Sequence, residues 1–263
     1  ITGISGLLGS NLAIDLLDRG FIVKALLRNK KGFTKFTHSN LVLIEGNLTD
    51  DLAVHLKKID IFIHIAAETK PGLLNYSDYQ KINVKATKHL YQSCVDCDVT
   101  KFIFISTANT MGFGSLENLG NEKKKIKPPF KNAGYAQSKL EAEKYLLTQK
   151  KNIDVIIINP TFMIGPYDDK PSSGKIILMG WKKKVVFYPP GGKNFVNVKD
   201  ASQAIINSID LGKNGERYLI GNENLSFNQF FSKLNLITNQ KPIMIKVPKW
   251  LLITVGSFCN LLK

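Results

Sequence analysis

Apolar positions along this chain follow two periods, and their alternation predicts an α/β architecture. Largely apolar runs at Phe21–Leu27, Leu41–Ile44, Ile59–Ile65, Phe102–Ile105 and Val155–Ile158 read as strands. A strand with no polar side is one covered on both faces, as in a parallel sheet between helices. Helical spacing fills the gaps. Ser10–Asp18 carries an apolar stripe through Ala13, Ile14, Leu16 and Leu17 and stops at the helix-breaking Gly20. A second helix precedes the Phe102 strand, and a third carries Tyr135. Beyond Pro160 the pattern loosens into Gly165-Pro166, Pro171-Ser172-Ser173-Gly174 and Pro189-Pro190-Gly191-Gly192. No internal repeat or low-complexity linker interrupts the chain. The expected organisation is a doubly wound parallel sheet over residues 1–159 and a smaller, partly interleaved lobe over 160–263.

The first turn carries the strongest chemical signal. Gly3, Gly6 and Gly9 punctuate Thr2-Gly3-Ile4-Ser5-Gly6-Leu7-Leu8-Gly9, directly before the first helix. Glycines there let the backbone come close to a pyrophosphate, and free N–H groups at a helix start bind the anion. Such a turn normally follows a central apolar strand, of which only Ile1 is present. The natural protein is therefore expected to begin several residues earlier.

Two further strings give that turn a context. Lys101-Phe102-Ile103-Phe104-Ile105-Ser106-Thr107 is a buried strand ending in two hydroxyls. Gly134-Tyr135-Ala136-Gln137-Ser138-Lys139 sets Tyr135 and Lys139 four apart, on one helix face. The glycine turn, the strand-end hydroxyl and Y-x-x-x-K together resemble the short-chain dehydrogenase/reductase superfamily. Within it the match is to the extended branch, the NAD-dependent epimerase/dehydratase family with its dihydroflavonol-reductase-like members.

That resemblance implies a Rossmann-type sheet and a set of site residues. Thr107, with Ser106 as the adjacent alternative, would bond the substrate oxygen. Tyr135 would move its proton, and Lys139 would favour the phenolate. As a base near neutrality the phenol needs a drop of roughly 3 pKa units from ~10. Gly3, Gly6, Leu7, Leu8 and Gly9 would hold the cofactor pyrophosphate. Gly46-Asn47-Leu48-Thr49-Asp50 matches an adenine-contacting segment, with Asn47 where an acid is usual. In His64-Ile65-Ala66-Ala67, the small Ala66 and Ala67 let the cofactor lie close, and His64 reads as structural. Asn83 would support the site from behind. Asn159-Pro160 matches the family's R-P pair at the nicotinamide end, with asparagine replacing arginine. Asp200 reads as a helix-start carboxylate. Extended-branch chains usually run past the point matching Lys263, so the end too is expected to be early.

Cofactor choice follows from the second strand's end. A carboxylate there accepts from the ribose hydroxyls of NAD, whereas an arginine suits the 2′-phosphate of NADP. Between Arg19 and Asn40 no acidic residue occurs, and Arg28 stands at the strand end. NADP(H) is therefore favoured, with NAD(H) kept as the alternative.

Composition adds exclusions. The 44% hydrophobic and 22% charged content is ordinary for a globular chain. The net charge of +15 is carried almost wholly by scattered lysines, since only Arg19, Arg28 and Arg217 are arginines. Nucleic-acid binders gather arginine and aromatics into one stripe, so no nucleic-acid partner is expected. Cys94 and Cys97 have no second pair or histidines to make a metal site and read as packing. Three cysteines in 263 residues fit a reducing, cytoplasmic setting. No apolar run spans a bilayer; Trp250–Leu262 is short and broken by Gly256, Ser257 and Asn260, and reads as a packed or capping helix, with a membrane-surface helix as the lesser alternative.

Three functions are in play. The first is an NADP(H)-dependent oxidoreductase acting on a small-molecule carbonyl or secondary alcohol. The second is an NAD-dependent nucleotide-sugar epimerase or dehydratase. The third is an NADP(H) sensor without turnover, which would have no use for Thr107, Tyr135 and Lys139. Aromatic side chains at Tyr76, Tyr79, Phe113, Phe130, Phe162, Tyr167, Trp181 and Phe187 suggest a moderately apolar substrate pocket. The scarcity of arginine there favours the first function. A homodimer, common in the branch, is kept open.

Overall fold

In the computed structural model, which describes residues 1–149, 152–169, 171–251 and 254, the apolar runs become β1 (Val23–Leu27), β2 (Leu41–Glu45), β3 (Ile61–His64), β4 (Lys101–Ile105) and β5 (Asp154–Pro160). The lobe adds β6 (Phe162–Ile164), β7 (Val185–Tyr188), β8 (Gly192–Asn197), β9 (Arg217–Ile220), β10 (Glu223–Ser226) and β11 (Ile243–Lys246). The helices are α1 (Leu7–Asp18), α2 (Ala53–Leu56), α3 (Tyr76–Gln80), α4 (Thr87–Asp96), α5 (Gly134–Leu147), α6 (Lys175–Gly180), α7 (Val198–Leu211) and α8 (Phe227–Ile237). A π-helical turn, Lys81–Ala86, joins α3 to α4.

The large sheet is parallel throughout. β1 pairs with β2, and β3, β4, β5 and β9 follow one another in register. Thr2 bridges Leu26 of β1 and His64 of β3, so the residue before the glycine turn occupies the middle of the sheet. The resulting order is the 3-2-1-4-5-6 of doubly wound folds, extended by β9.

Side-chain alternation sorts the core onto two faces. Ile103, Ile105, Ile156 and Ile158 pack with Leu8, Leu12 and Leu16 of α1 and with Val198, Ala201 and Ile205 of α7. Phe102, Phe104, Val155 and Ile157 pack on the other face with Leu90, Tyr91 and Cys94 of α4 and Leu146 of α5. Cys94 is thus a packing residue. The segment Val198–Ile220 returns from the lobe to the large sheet, which interleaves the two parts. The lobe has its own core of Ile176, Val186, Phe195 and Phe231.

Element ends differ from the sequence expectation for local reasons. α1 starts at Leu7 rather than Ser10 because Gly6 is its N-cap. β1 starts at Val23, two residues late, because the Phe21 amide is engaged by the Leu16 carbonyl at the end of α1. β3 stops at His64 because the next two amides, Ile65 and Ala66, donate to Thr2 Oγ1 at 3.1 Å instead of to a neighbouring strand. Of the Trp250–Leu262 run, all but Trp250, Leu251 and Thr254 lies outside the described residues, as does Cys259.

Candidate active site

Parallel strands deliver their carboxyl ends to one edge, and the nominated residues lie along it. Arg28 follows β1, Asn47 and Leu48 follow β2, Ala66 and Ala67 follow β3, Ser106 and Thr107 follow β4, and Pro160 ends β5. In folds of this kind ligands bind outside that edge.

The glycine turn fits a bound pyrophosphate. Gly3 adopts φ +79°, and a Cβ on it would lie 2.8 Å from the Ala66 amide nitrogen. A Cβ on Gly9 would lie 2.0 Å from the Gly3 carbonyl oxygen. Both glycines are demanded by the protein's own packing. Gly6 is different: its Cβ would meet only the Gly3 oxygen, at 3.5 Å, and otherwise point into open space above the turn. Helix α1 has no side-chain cap and no acid in its first turn. Its first N–H groups, at Leu7 and Leu8, are left for an anion. The substitutions should therefore separate. Gly6→Ala is expected to keep stability within about 1 kcal/mol but to weaken dinucleotide binding at least about tenfold. Gly9→Ala is expected to lose about 2 kcal/mol or more in denaturant unfolding. Equal stability losses for the two would refute this division.

Behind the turn a line of buried hydrogen bonds leads to α5. Thr2 Oγ1 already accepts from two amides, so its proton goes to His64 Nδ1, 2.8 Å away. His64 Nε2–H then donates to Thr87 Oγ1 at 3.0 Å, and Thr87 donates to the Asn83 carbonyl at 2.9 Å. Asn83 Nδ2 donates to Ser138 Oγ at 2.9 Å, and Ser138 donates to the Tyr135 carbonyl at 2.8 Å. Asn83 also clasps the Glu68 amide and carbonyl after β3. Burial, with Lys139 nearby, holds His64 well below its usual pKa. This histidine is a neutral strut between the turn and the helix carrying Tyr135.

Tyr135, Lys139 and Glu143 follow one another at four-residue intervals along α5. Burial pushes the Tyr135 phenol up to about 12, and the adjacent Thr107 hydroxyl opposes the rise. Burial pushes Lys139 down to about 7, with the Glu143 carboxylate opposing the fall. Lys139 Nζ rests 3.9 Å from the centroid of the Phe104 ring. Without further positive charge the sheltered phenol holds its proton more tightly than a free one. Of the two strand-end hydroxyls, Ser106 donates to Glu143. Thr107 remains as the hydroxyl facing Tyr135.

Glu143 was not singled out in the sequence, nor was its grouping with Ser106, Thr110, Asn159 and Arg217. The carboxylate is fully buried. Its Oε1 accepts from Ser106, from Thr110 Oγ1 at 2.7 Å and from Asn159 Nδ2 at 2.7 Å. Its Oε2 lies 3.3 Å from Arg217 Nη1, which reaches in from β9. Asn159, standing where the family motif has arginine, thus supplies hydrogen bonds without charge. The repeat of the four-residue spacing from Lys139 to Glu143 was the one readable signal. Glu45 was also missed: its carboxylate accepts from the Lys30 amide at 2.8 Å, bringing an acid to the turn after β1. Arg28 is exposed on that turn.

The aromatic residues do not share one pocket. Tyr79 is buried, with its hydroxyl on the Lys70 carbonyl. Phe162 packs edge-on against Phe195 in the lobe core. Phe113 pairs with Phe130 at 5.9 Å in the loop before α5 and, with Lys124, Lys125 and Lys127, lines a cavity of about 500 Å³. Among the described residues no group of three or more His, Cys, Asp or Glu could hold a metal, and no helix is long and apolar enough to cross a membrane.

A glycine turn at the switch of a doubly wound sheet, facing a Thr–Tyr–Lys arrangement, defines an NAD(P)-binding enzyme of the oxidoreductase type. Comparison with known proteins agrees. Residues 1–221 match the model of the NAD dependent epimerase/dehydratase family, and the chain belongs to that family. It is 27% identical over 261 residues to a dihydroflavonol 4-reductase-like protein of Synechocystis sp., covering 97% of this chain and 76% of the relative. It is 24% identical over 269 residues to UDP-glucose 4-epimerase of Vibrio cholerae, covering 95% and 78%. The crystal structure of gox2253 superposes with a TM-score of 0.82 at 29% identity, covering 97% of this chain and 82% of that one.

Proposed function

We propose that this chain is an NADP(H)-dependent oxidoreductase that reduces a carbonyl, or oxidises a secondary alcohol, of a moderately apolar small molecule. The observation that carries the reading is the meeting of Thr107 with Tyr135, one helical turn from Lys139, at the carboxyl edge beyond the glycine turn. In this reading residues 1–159 hold the cofactor and 160–263 supply the substrate side, apart from the returning α7 and β9. The backbone at Gly3, Gly6, Leu7, Leu8 and Gly9 holds the pyrophosphate. Asn47 and Leu48 take the adenine, Arg28 the 2′-phosphate, and Ala66, Ala67 and Pro160 the nicotinamide side.

When bound, the nicotinamide gives or takes the hydride and, in its oxidised form, brings the positive charge that the buried phenol lacks. Thr107 holds the substrate oxygen. Tyr135 delivers a proton to that oxygen in reduction and removes it in oxidation. Lys139, when protonated, stabilises the phenolate left behind. Free Cys94 and Cys97 support a reducing compartment, and we place the enzyme in the cytoplasm.

A specific observation favours a second reading, the NAD-dependent nucleotide-sugar epimerase or dehydratase. Glu45 brings a carboxylate to the turn where NAD enzymes place one, and UDP-glucose 4-epimerase is among the relatives. Fluorescence titration with NADPH and NADH separates the two. NADPH is expected to bind at least about tenfold tighter, an advantage that Arg28→Asp abolishes. Tighter NADH binding, or an NADPH preference unmoved by the substitution, would transfer the case to the second reading.

A further inference from the structure

The buried carboxylate on α5 and the loop between β4 and α5 share one guanidinium. Arg217 Nη1 lies 3.3 Å from Glu143 Oε2, and Nη2 donates to the Glu122 carbonyl at 2.6 Å. Glu122 is held a second time, since its Oε1 accepts from the Leu219 amide of β9 at 2.9 Å. The same loop folds back on itself through the Gly112 amide on the Lys124 carbonyl and a bridge between Met111 and Lys125. It also carries Phe113 and Lys127 beside the cavity described above. One strand residue therefore touches both the loop on the substrate side and the carboxylate beside Lys139.

We propose that Arg217 is a positioning residue of this site, coupling order in the 111–127 loop to the charge state of the Tyr135–Lys139–Glu143 line. The proposal rests on the oxidoreductase reading only for its consequence in catalysis; the coupling itself stands on the geometry.

The charge argument has a definite sign. Glu143 Oε1 gathers Ser106, Thr110 and Asn159 as donors, and the Asn159 amide turns its nitrogen to the carboxylate although its own Oδ1 is left unpaired in the described structure. Three donors thus hold the carboxylate independently of the guanidinium. The groups facing Lys139 are Tyr135 and Glu143 on its own helix, neutral His64 on β3, the Phe104 ring on β4, and Arg217 of β9 behind Glu143. Removing Arg217 takes a positive charge from this set and leaves the negative one. The proton on Lys139 is then held more tightly.

The test uses the full chain without cofactor or substrate. Lysines labelled at Cε are titrated by NMR, and the signal absent from Lys139→Met is assigned to Lys139, with a midpoint near the value of about 7 given by its burial. Trypsin cleavage at Lys123–Lys125 is followed in parallel. Arg217→Met is expected to raise the midpoint by about one unit and to speed cleavage about tenfold. Arg217→Lys keeps the charge but not the fork, so its midpoint stays near the wild type while cleavage remains fast. Glu143→Gln, which removes the negative charge, lowers the midpoint. A midpoint in Arg217→Met that falls or does not move overturns the coupling, as does unchanged cleavage. A rise in Arg217→Lys equal to that in Arg217→Met overturns it too, because water entry would then be the cause. Should these results hold while no carbonyl is turned over, only the oxidoreductase reading fails.

Discussion

Tyr135→Phe is expected to lower turnover of a carbonyl substrate found by screening by about 10²–10⁴-fold, the usual worth of a positioned general acid. Nucleotide affinity should change little, because the ring that packs at the edge is kept and only the hydroxyl is lost. The phenol sits at about 12 in the unliganded protein, so it carries its proton throughout the neutral range. Reduction needs that proton and should be nearly flat with pH below neutrality. Oxidation needs the phenolate and should climb with pH, with an apparent pKa well under 12 once the oxidised cofactor adds its charge. Steady-state rates in both directions, with a parallel NADPH titration, check this. A Tyr135→Phe enzyme retaining more than about a tenth of wild-type turnover would remove Tyr135 from the chemistry and leave Thr107 or a bound water to move the proton.

Much of this site was legible because its residues are local in sequence. The glycine turn, the Ser106-Thr107 strand end and the Tyr135/Lys139 spacing each lie within a few residues, and the parallel sheet brings strand ends together whatever the loops do. The central strands were legible for the same reason: a run such as Phe102–Ile105 is apolar on both faces. The lobe was not. Strands such as Glu223–Ser226 and Gly192–Asn197 are short and carry exposed polar residues, so neither period shows. The resemblance pointed to Thr107 over Ser106, but the reason Ser106 is engaged elsewhere, Glu143 approaching from 37 positions away, was not legible. Arg217 was read as the lone arginine of the lobe and as a weak clue to substrate. Its partner Glu143 lies 74 positions earlier, and only the pairing of β5 with β9 brings them together. Tyr79 and Phe162 looked like pocket walls because an aromatic side chain in a loop-rich segment carries no mark of which way it faces.

Lys139 carries the largest expected effect on stability, and its sign is opposite to the usual expectation for an active-site residue. Its folded pKa of about 7 lies below the ordinary 10.5, so between these values the unfolded chain binds the proton more tightly than the folded one. Stability therefore rises with pH through this window. Below about pH 7 the lysine is charged in both states and the cost of burying that charge is fully present. Above about pH 10.5 it is neutral in both and the cost is gone. Methionine fills similar space with no charge to bury. Lys139→Met is expected to be more stable than the wild type at pH 6 by up to about 5 kcal/mol, the product of the shift and 1.36 kcal/mol per unit. The gain should shrink steadily as the pH is raised toward 10. The variant should at the same time lose most of its turnover if Lys139 favours the Tyr135 phenolate as proposed. Denaturant unfolding at a series of pH values measures the difference directly. A constant difference across that range would mean that Lys139 does not titrate in the folded protein, and a variant less stable at pH 6 would mean that the ammonium is better satisfied than its surroundings of Phe104 and Glu143 imply. Either result would also remove the basis for treating the lysine as a tuned group. The expected result instead makes Lys139 a residue held for chemistry at the expense of stability, with Glu143 limiting that expense through its attraction for the buried ammonium.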